Sequence, residues 1–208
     1  TMKLGVFTVL FADQSFEEML DKVAHSGLKA VEIGTGCYPG NAHCPLDRLL
    51  ESEQLRREYI EKVENRGLTI SAFSCHGNPL SPDKEFAKES HDVLAKTIKL
   101  ASLLSVPVVN CFSGTSGDHE GAKYPSWPVT AWPNEYRDVL NWQWEEKLIP
   151  YWKEMGKFAE DHQVKIGLEL HGGFLVHTPY TLLKLRKETS DAIGANLDPS
   201  HLWWQGID

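Results

Sequence analysis

The sequence predicts an α/β fold of parallel β/α units curling into a barrel, and three observations predict it. Short apolar runs recur along the 208 residues, each followed by a longer amphipathic segment with charged residues at helical spacing. Within the runs the side chains alternate. In Lys165-Ile-Gly-Leu-Glu-Leu-His171, period two puts Ile166, Leu168 and Leu170 on one face and Gly167, Glu169 and His171 on the other. The polar members gather at the carboxyl end of each run, as they do in Ala72-Phe-Ser-Cys-His76 and Asn196-Leu-Asp198. An apolar face meeting helices and a polar face looking inward favour the barrel over a doubly wound sheet, and the carboxyl end is where a β/α barrel keeps its active site.

The elements follow in order. Lys3–Leu10 is the first strand; Ser15–Ser26 is the first helix, opened by Ser15 ahead of Glu18 as a capping box and stopped at Gly27. Strand Ala30–Gly34 leads to helix Glu51–Arg66, which Gly67 stops. Strand Thr69–Cys75, helix Lys84–Ser105 and strand Val106–Phe112 come next. Residues 113–141 form the one long irregular connection, whose Gly, Pro and Trp content makes it a folded loop over the carboxyl-end face. Its stretch Tyr124–Trp132 reads equally well as a lid or as a loop packing its own rings. Helix Trp142–Gln163, strand Lys165–His171, helix Pro179–Thr189 and strand Ala192–Asp198 complete the alternation, and Trp203 and Trp204 start a further, partly exposed helix. The expectation is a single domain over 1–208, an incomplete barrel truncated after its sixth strand. Open edge strands of that kind favour association, so a homo-oligomer is compatible with the pattern.

Composition narrows the classes. With 41% hydrophobic and 24% charged residues the chain can bury one substantial core. A formal net charge of -8, with no local basic patch, argues against nucleic acid and anionic membrane as partners. Cys37, Cys44, Cys75 and Cys111 form no CxxC pair and no structural-zinc spacing, which predicts reduced thiols; Cys75 and Cys111 read as small buried apolar residues. No signal peptide precedes Lys3-Leu-Gly-Val-Phe7 and no apolar run is long enough to span a bilayer, so a soluble, cytoplasmic protein is expected.

The polar residues at strand ends are Glu32, His76, Asn110, Glu169, His171, Asp198 and His201. One strand-end carboxylate is more often a cap or a surface ion pair than a ligand. Carboxylates with imidazoles nearby, however, suit one divalent cation of mixed oxygen and nitrogen preference (Mn²⁺, Mg²⁺, Co²⁺ or Zn²⁺), and the carboxylate-rich set leans toward Mn²⁺ or Mg²⁺. Two decoys fall away. His171-Gly-Gly173 looks like an oxyanion-hole motif, but the chain has no G-x-S-x-G nucleophile elbow. Gly34-Thr-Gly36 with Gly40 is one residue too long for a dinucleotide loop and leads into no helix.

Several stretches resemble one family over the whole chain: Val31-Glu-Ile-Gly-Thr-Gly36, Phe73-Ser-Cys-His-Gly-Asn-Pro-Leu80, Val106-Pro-Val-Val-Asn-Cys-Phe-Ser-Gly114 and Trp142–Trp152, with Leu168-Glu-Leu-His-Gly-Gly173 and Asn196-Leu-Asp-Pro-Ser-His-Leu202 the most specific. The family is that of the sugar phosphate isomerases/epimerases, the xylose-isomerase-like TIM barrels that include ketose 3-epimerases, inosose dehydratases and, distantly, type IV AP endonucleases. The resemblance implies Glu169 and Asp198 as ligands of one divalent metal, and Glu169 as catalytic base in proton abstraction next to a carbonyl through an enediolate. It also implies that His201, His76, Asn110, Glu32 and His171 contact the substrate, a small sugar (free or phosphorylated) or a cyclitol. Nothing in the sequence matches the family's seventh-strand His or eighth-strand Glu, so the expected enzyme is the full-length form and these 208 residues alone are expected to be inactive. Three alternatives stay open: a lyase of the inosose dehydratase kind, an AP endonuclease-like nuclease disfavoured by the charge, and a non-catalytic barrel remnant.

Overall fold

The computed structural model describes residues 2–208. Six strands alternate with α-helices along the chain, and every strand pairing within a unit is parallel. The chain divides into two compact units, one comprising residues up to His76 with Val93–Asn110 and His162–Val164, the other Gly77–Asp92, Cys111–Asp161 and Lys165–Asp208. Among the described residues no helix is long and apolar enough to cross a membrane.

In the first unit β1 (Gly5–Phe7), β2 (Ala30–Gly34), β3 (Thr69–Ser74) and β4 (Val108–Cys111) pair in that order. The predicted first strand is shorter than expected, because the chain turns into a 3-10 helix at Thr8–Phe11 and leaves Leu10 73% exposed. Gly5 sits where a side chain would meet the carbonyl oxygen of Ala30 at 2.6 Å. Gly5→Ala is therefore expected to push β1 off β2 at a cost of about 1–3 kcal/mol, read as a lower urea midpoint; an unchanged midpoint would mean that Gly5 does not set the β1–β2 spacing.

Helix α1 (Phe16–His25) begins with the capping box expected of Ser15 and Glu18 and ends before Gly27, at φ +81°. It buries Met19, Leu20 and Val23 on the face that meets the sheet period. The single helix expected over Glu51–Arg66 is two, α2 (Leu46–Glu51) and α3 (Glu53–Glu64). Ser52 makes the break: its backbone is extended (φ -122°, ψ 113°) and its hydroxyl accepts from Leu55 N, so it caps the second helix in place of continuing the first. Arg56 then donates to the carbonyls of Leu49 and Leu50, the ends of α2 that would otherwise lack partners. Val31, Ile33 and Phe73 are wholly buried, each worth about 1.5–3 kcal/mol of apolar transfer. Helix α4 (Lys84–Leu103) is divided between the units and is followed by Ser105 at φ +55°.

In the second unit β5 (Lys165–Glu169) pairs with β6 (Ile193–Asn196), setting Leu168 opposite Ala195 and Glu169 opposite Asn196. The expected loop 113–141 is corrected at its end. Residues Asn134–Trp142 are helix α5, which runs through a π-helical segment, Gln143–Leu148, into α6 (Ile149–Asp161). The helix expected from Trp142 thus starts a little over two turns earlier. The π segment lies just before Pro150, which has no N–H to continue the i→i−4 ladder. Gln143 anchors the irregular part, donating from Nε2 toward the carbonyls of Ser116, Gly117 and Ser126 at 2.9–3.1 Å. Of the aromatic stretch, Trp127 is held by donation from Nε1 to Phe174 O at 2.9 Å, whereas Tyr124 and Trp132 are exposed. Helix α7 (Pro179–Glu188) is capped by Thr178, and α8 (Pro199–Trp203) by Asp198. Cys75 and Cys111 are buried, as expected of small apolar residues, and burial pushes the Cys75 thiol pKa up.

Candidate metal centre

The two strand-end carboxylates that the family resemblance implies as ligands come together. Glu169 ends β5 and Asp198 follows β6 by two residues; since β5 and β6 are in parallel register with Glu169 opposite Asn196, Asp198 lies one pleat beyond, on the same face. His201 is on the first turn of α8, three residues after Asp198, which returns its ring toward the strand end. One donor atom from each of Glu169, Asp198 and His201 lies within 4.8 Å of the others.

The details divide the oxygens by task. Asn196 Nδ2 donates to Glu169 Oε2 at 2.9 Å, and Glu169 Oε1 lies 3.0 Å from His201 Nε2. Asp198 Oδ1 accepts from Ser200 N at 2.9 Å as the cap of α8, while Oδ2 lies 3.5 Å from His201 Nε2. In each carboxylate, then, one oxygen is fixed by a neutral donor and the other faces the imidazole. The Asp198 carboxyl is held below its usual value, first by the bond from Ser200 and further by the imidazoles of His201 and His171, against an opposing desolvation. Its folded pKa being depressed, Asp198 stays ionised to more acid solution than an unperturbed aspartate does.

His171 is the fourth member. Its ring lies 4.0 Å from that of His201 and meets Phe112 edge-on at 5.2 Å. His171 Nδ1 is 2.5 Å from the carbonyl oxygen of Gly172, which can only accept, so the proton sits on Nδ1 and neutral His171 keeps a lone pair on Nε2.

The remaining sequence candidates belong to the first unit. Asn110 donates to Glu32 Oε1 at 3.0 Å, and Ser74 donates to the same oxygen. A bulge in the β2–β3 register directly at Val31/Glu32 aligns Glu32 with Ala72 in place of Ser71. His76 is buried, 6.4 Å from the ring of Phe7. Sequence reasoning missed Asn196 and Ser200 as the residues that orient the carboxylates. The signal for Asn196 was its place on the Asp198 face; for Ser200 it was the short Asp-Pro-Ser turn entering a helix.

Two carboxylates and an imidazole with donor atoms within 4.8 Å, two of them faced by a nitrogen that can turn from donor to ligand, fit a hard or borderline divalent cation such as Mn²⁺, Mg²⁺, Co²⁺ or Zn²⁺. Asn196 and Ser200 each fix one oxygen of these carboxylates, as supporting partners of metal ligands do.

Residues 20–208 match the family model of the xylose isomerase-like TIM barrel. "Uncharacterized protein YfiH" of Bacillus subtilis (strain 168) is 41% identical over 210 residues, covering 100% of this chain and 67% of its own length. Among solved structures, a probable 3-DHS dehydratase, AsbF, from Bacillus anthracis is 20% identical with a TM-score of 0.68, covering 100% of this chain and 66% of that one. An L-ribulose 3-epimerase is 21% identical with a TM-score of 0.67 over 100% and 64%. A xylose isomerase-like TIM barrel protein from Mycobacterium smegmatis in complex with magnesium is 18% identical with a TM-score of 0.65 over 97% and 66%. At these identities the structures establish the shared fold. The chain spans about two thirds of the length of each.

Proposed function

The chain belongs to the xylose isomerase-like TIM barrel family, and from that premise we propose that it carries the divalent-metal site of a sugar isomerase or epimerase, one that exchanges a proton next to a carbonyl through an enediolate. The observation that carries the reading is the convergence of Glu169, Asp198 and His201 at the carboxyl ends of β5 and β6. The activity is proposed for the protein at the length of its relatives, of which this chain spans about two thirds.

Glu169, Asp198 and His201 would hold the cation, whose chemistry is to polarise substrate carbonyl and hydroxyl oxygens and so acidify the adjoining C–H. Glu169 takes the proton. Its carboxylate is positioned by Asn196 and only partly exposed, so geometry sets its reach to the substrate carbon. His171, with its Nε2 lone pair directed by the Nδ1–H bond to Gly172, accepts a bond from a substrate hydroxyl. Within the first unit, Glu32 is held by its bonds from Asn110 and Ser74. The substrate is a small sugar or cyclitol, and the net charge of -8 disfavours the nuclease reading.

A lyase on a cyclitol or related ring begins with the same proton abstraction and then expels water; the structural likeness to a probable 3-DHS dehydratase favours keeping it as the second reading. The test is a panel of ketoses and inososes with Mn²⁺, followed by proton NMR in deuterated buffer. Epimerisation is expected to place deuterium on the reacting carbon, whereas an unsaturated product formed with loss of water would select the lyase. Dialysis against EDTA is expected to abolish turnover and added Mn²⁺ to restore it. Undiminished turnover after complete metal removal would sink the metal-dependent reading.

A further inference from the structure

The short helix that carries His201 has little of its own to hold it. Helix α8 is five residues long, far below the length at which a helix is stable alone, and it contains no buried residue. Trp203 is 80% exposed and Trp204 58%. Its placement therefore has to come from specific contacts, and one residue beside it bonds both to α8 and to the segment that follows β5.

We propose that Gln205 is the positioning residue of the site, fixing α8 and the His201 ring to the segment that follows β5. Gln205 Nε2 donates to His201 O at 2.6 Å and to His177 O at 3.2 Å, while His177 Nδ1 lies 2.7 Å from Gln205 Oε1. The two carbonyls accept only, which fixes the amide's orientation; Oε1 must then accept, so His177 carries its proton on Nδ1. Both N–H groups and one oxygen lone pair of the amide are used. The carbonyl of His201 lies in the last turn of α8, one of the groups a helix end leaves without an internal partner, and Gln205 satisfies it from a side chain that is also bound to a different loop.

The partner loop is itself anchored. His177 meets Trp127 edge-on at 5.1 Å, His177 N donates to Thr181 Oγ1, and Trp127 is bonded to Phe174 O. Alongside, Gly172 leaves the slot that the Trp204 indole fills: a Cβ there would come within 2.4 Å of the Trp204 ring and 3.3 Å of Trp127. Gln205 thus connects the element bearing Asp198 and His201 to the one bearing His171, and does so without touching any donor atom of the cation site. The functional consequence rests on the reading of Glu169, Asp198 and His201 as that site; the positioning itself does not.

Two variants separate these claims. Gln205→Ala removes all three bonds, whereas Gln205→Glu keeps the acceptor for His177 but cannot donate to the His201 carbonyl. In the metal-free protein, imidazole ¹⁵N–¹H correlation spectra are expected to show Nδ1-protonated His177 in wild type and in Gln205→Glu, with that signature lost in Gln205→Ala; the His201 ring resonances are expected to shift in both variants. Titration calorimetry with Mn²⁺ is expected to show affinity reduced about 10–100-fold in Gln205→Ala, the range seen when a metal ligand loses its support. Circular dichroism of both variants should match wild type. Unchanged His201 resonances in the two variants, or Mn²⁺ affinity equal to wild type in Gln205→Ala, would overturn the proposal. A wild-type protein that binds no Mn²⁺ would overturn the cation reading instead, and the metal-free spectra would still decide whether Gln205 positions His201.

Discussion

Glu169→Gln is expected to abolish turnover and to strip the site of most of its affinity for metal while leaving the fold in place. The substitution preserves length and shape, and the amide oxygen can go on accepting from Asn196 Nδ2, the 2.9 Å bond that fixes the outer oxygen of the native carboxylate. What it removes is the charge beside His201 Nε2, at 3.0 Å, and with it both an anionic ligand and the proposed base at the end of β5. Loss of a positioned general base alone is worth about 10²–10⁴ in rate, and loss of a ligand compounds it. The two readouts are steady-state turnover with Mn²⁺ and metal content after desalting, with a urea midpoint to show that the fold survives. Near-wild-type turnover at normal metal content would remove Glu169 from both roles. A normal rate constant with a raised metal requirement would leave it as ligand and assign the proton to another group, His171 being the neighbour with a lone pair in reach.

That Glu169 and Asp198 stood among the strand-end candidates follows from the geometry of strands, and the family resemblance then singled out these two. Side-chain direction in a strand depends only on parity, so Ile166-Gly-Leu-Glu169 and Asn196-Leu-Asp198 announce their polar faces before any packing is known, and the parallel register then sets the two faces side by side. The alternation of apolar runs and amphipathic segments was legible for the same local reason. Where reading failed, a side chain was competing with a periodic pattern. Nothing in the charge spacing of Glu51–Arg66 distinguishes one helix from two; the hydroxyl of Ser52 decides it by capping, with Arg56 closing the other end. Likewise the π segment before Pro150 and the early start of α5 depend on Gln143 reaching the carbonyls of a loop 17 to 27 residues earlier in the chain. Gln205 and Gly172 were invisible because their part is played wholly through tertiary contacts: an amide bonded to a histidine 28 residues away, and an absent side chain that leaves room for an indole.

Trp152→Ala is expected to cost the protein about 3–5 kcal/mol, the usual range for truncating a buried aromatic, which is a large part of the ~5–15 kcal/mol that holds a domain folded. Trp152 is wholly buried in α6 and its Nε1 donates to Ser113 O at 2.8 Å. Ser113 is a junction: its hydroxyl accepts from Val176 N at 3.0 Å, and the adjoining Gly114 carbonyl accepts from Leu175 N at 3.1 Å. The indole therefore props the segment leaving β4, on which the loop after β5 hangs, and that loop begins with His171. Removing the ring opens a cavity and leaves a buried carbonyl without its donor, and the two effects can be told apart. Trp152→Phe retains most of the packing and loses only the bond, so it should cost about 1–3 kcal/mol, the desolvation of one unpaired polar group. Urea unfolding at constant slope measures both. If Trp152→Phe proved as damaging as Trp152→Ala, the hydrogen bond and not the packed volume would be what holds this corner. If both variants unfolded at the wild-type midpoint, Trp152 would not be the prop that its burial and its bond to Ser113 make it.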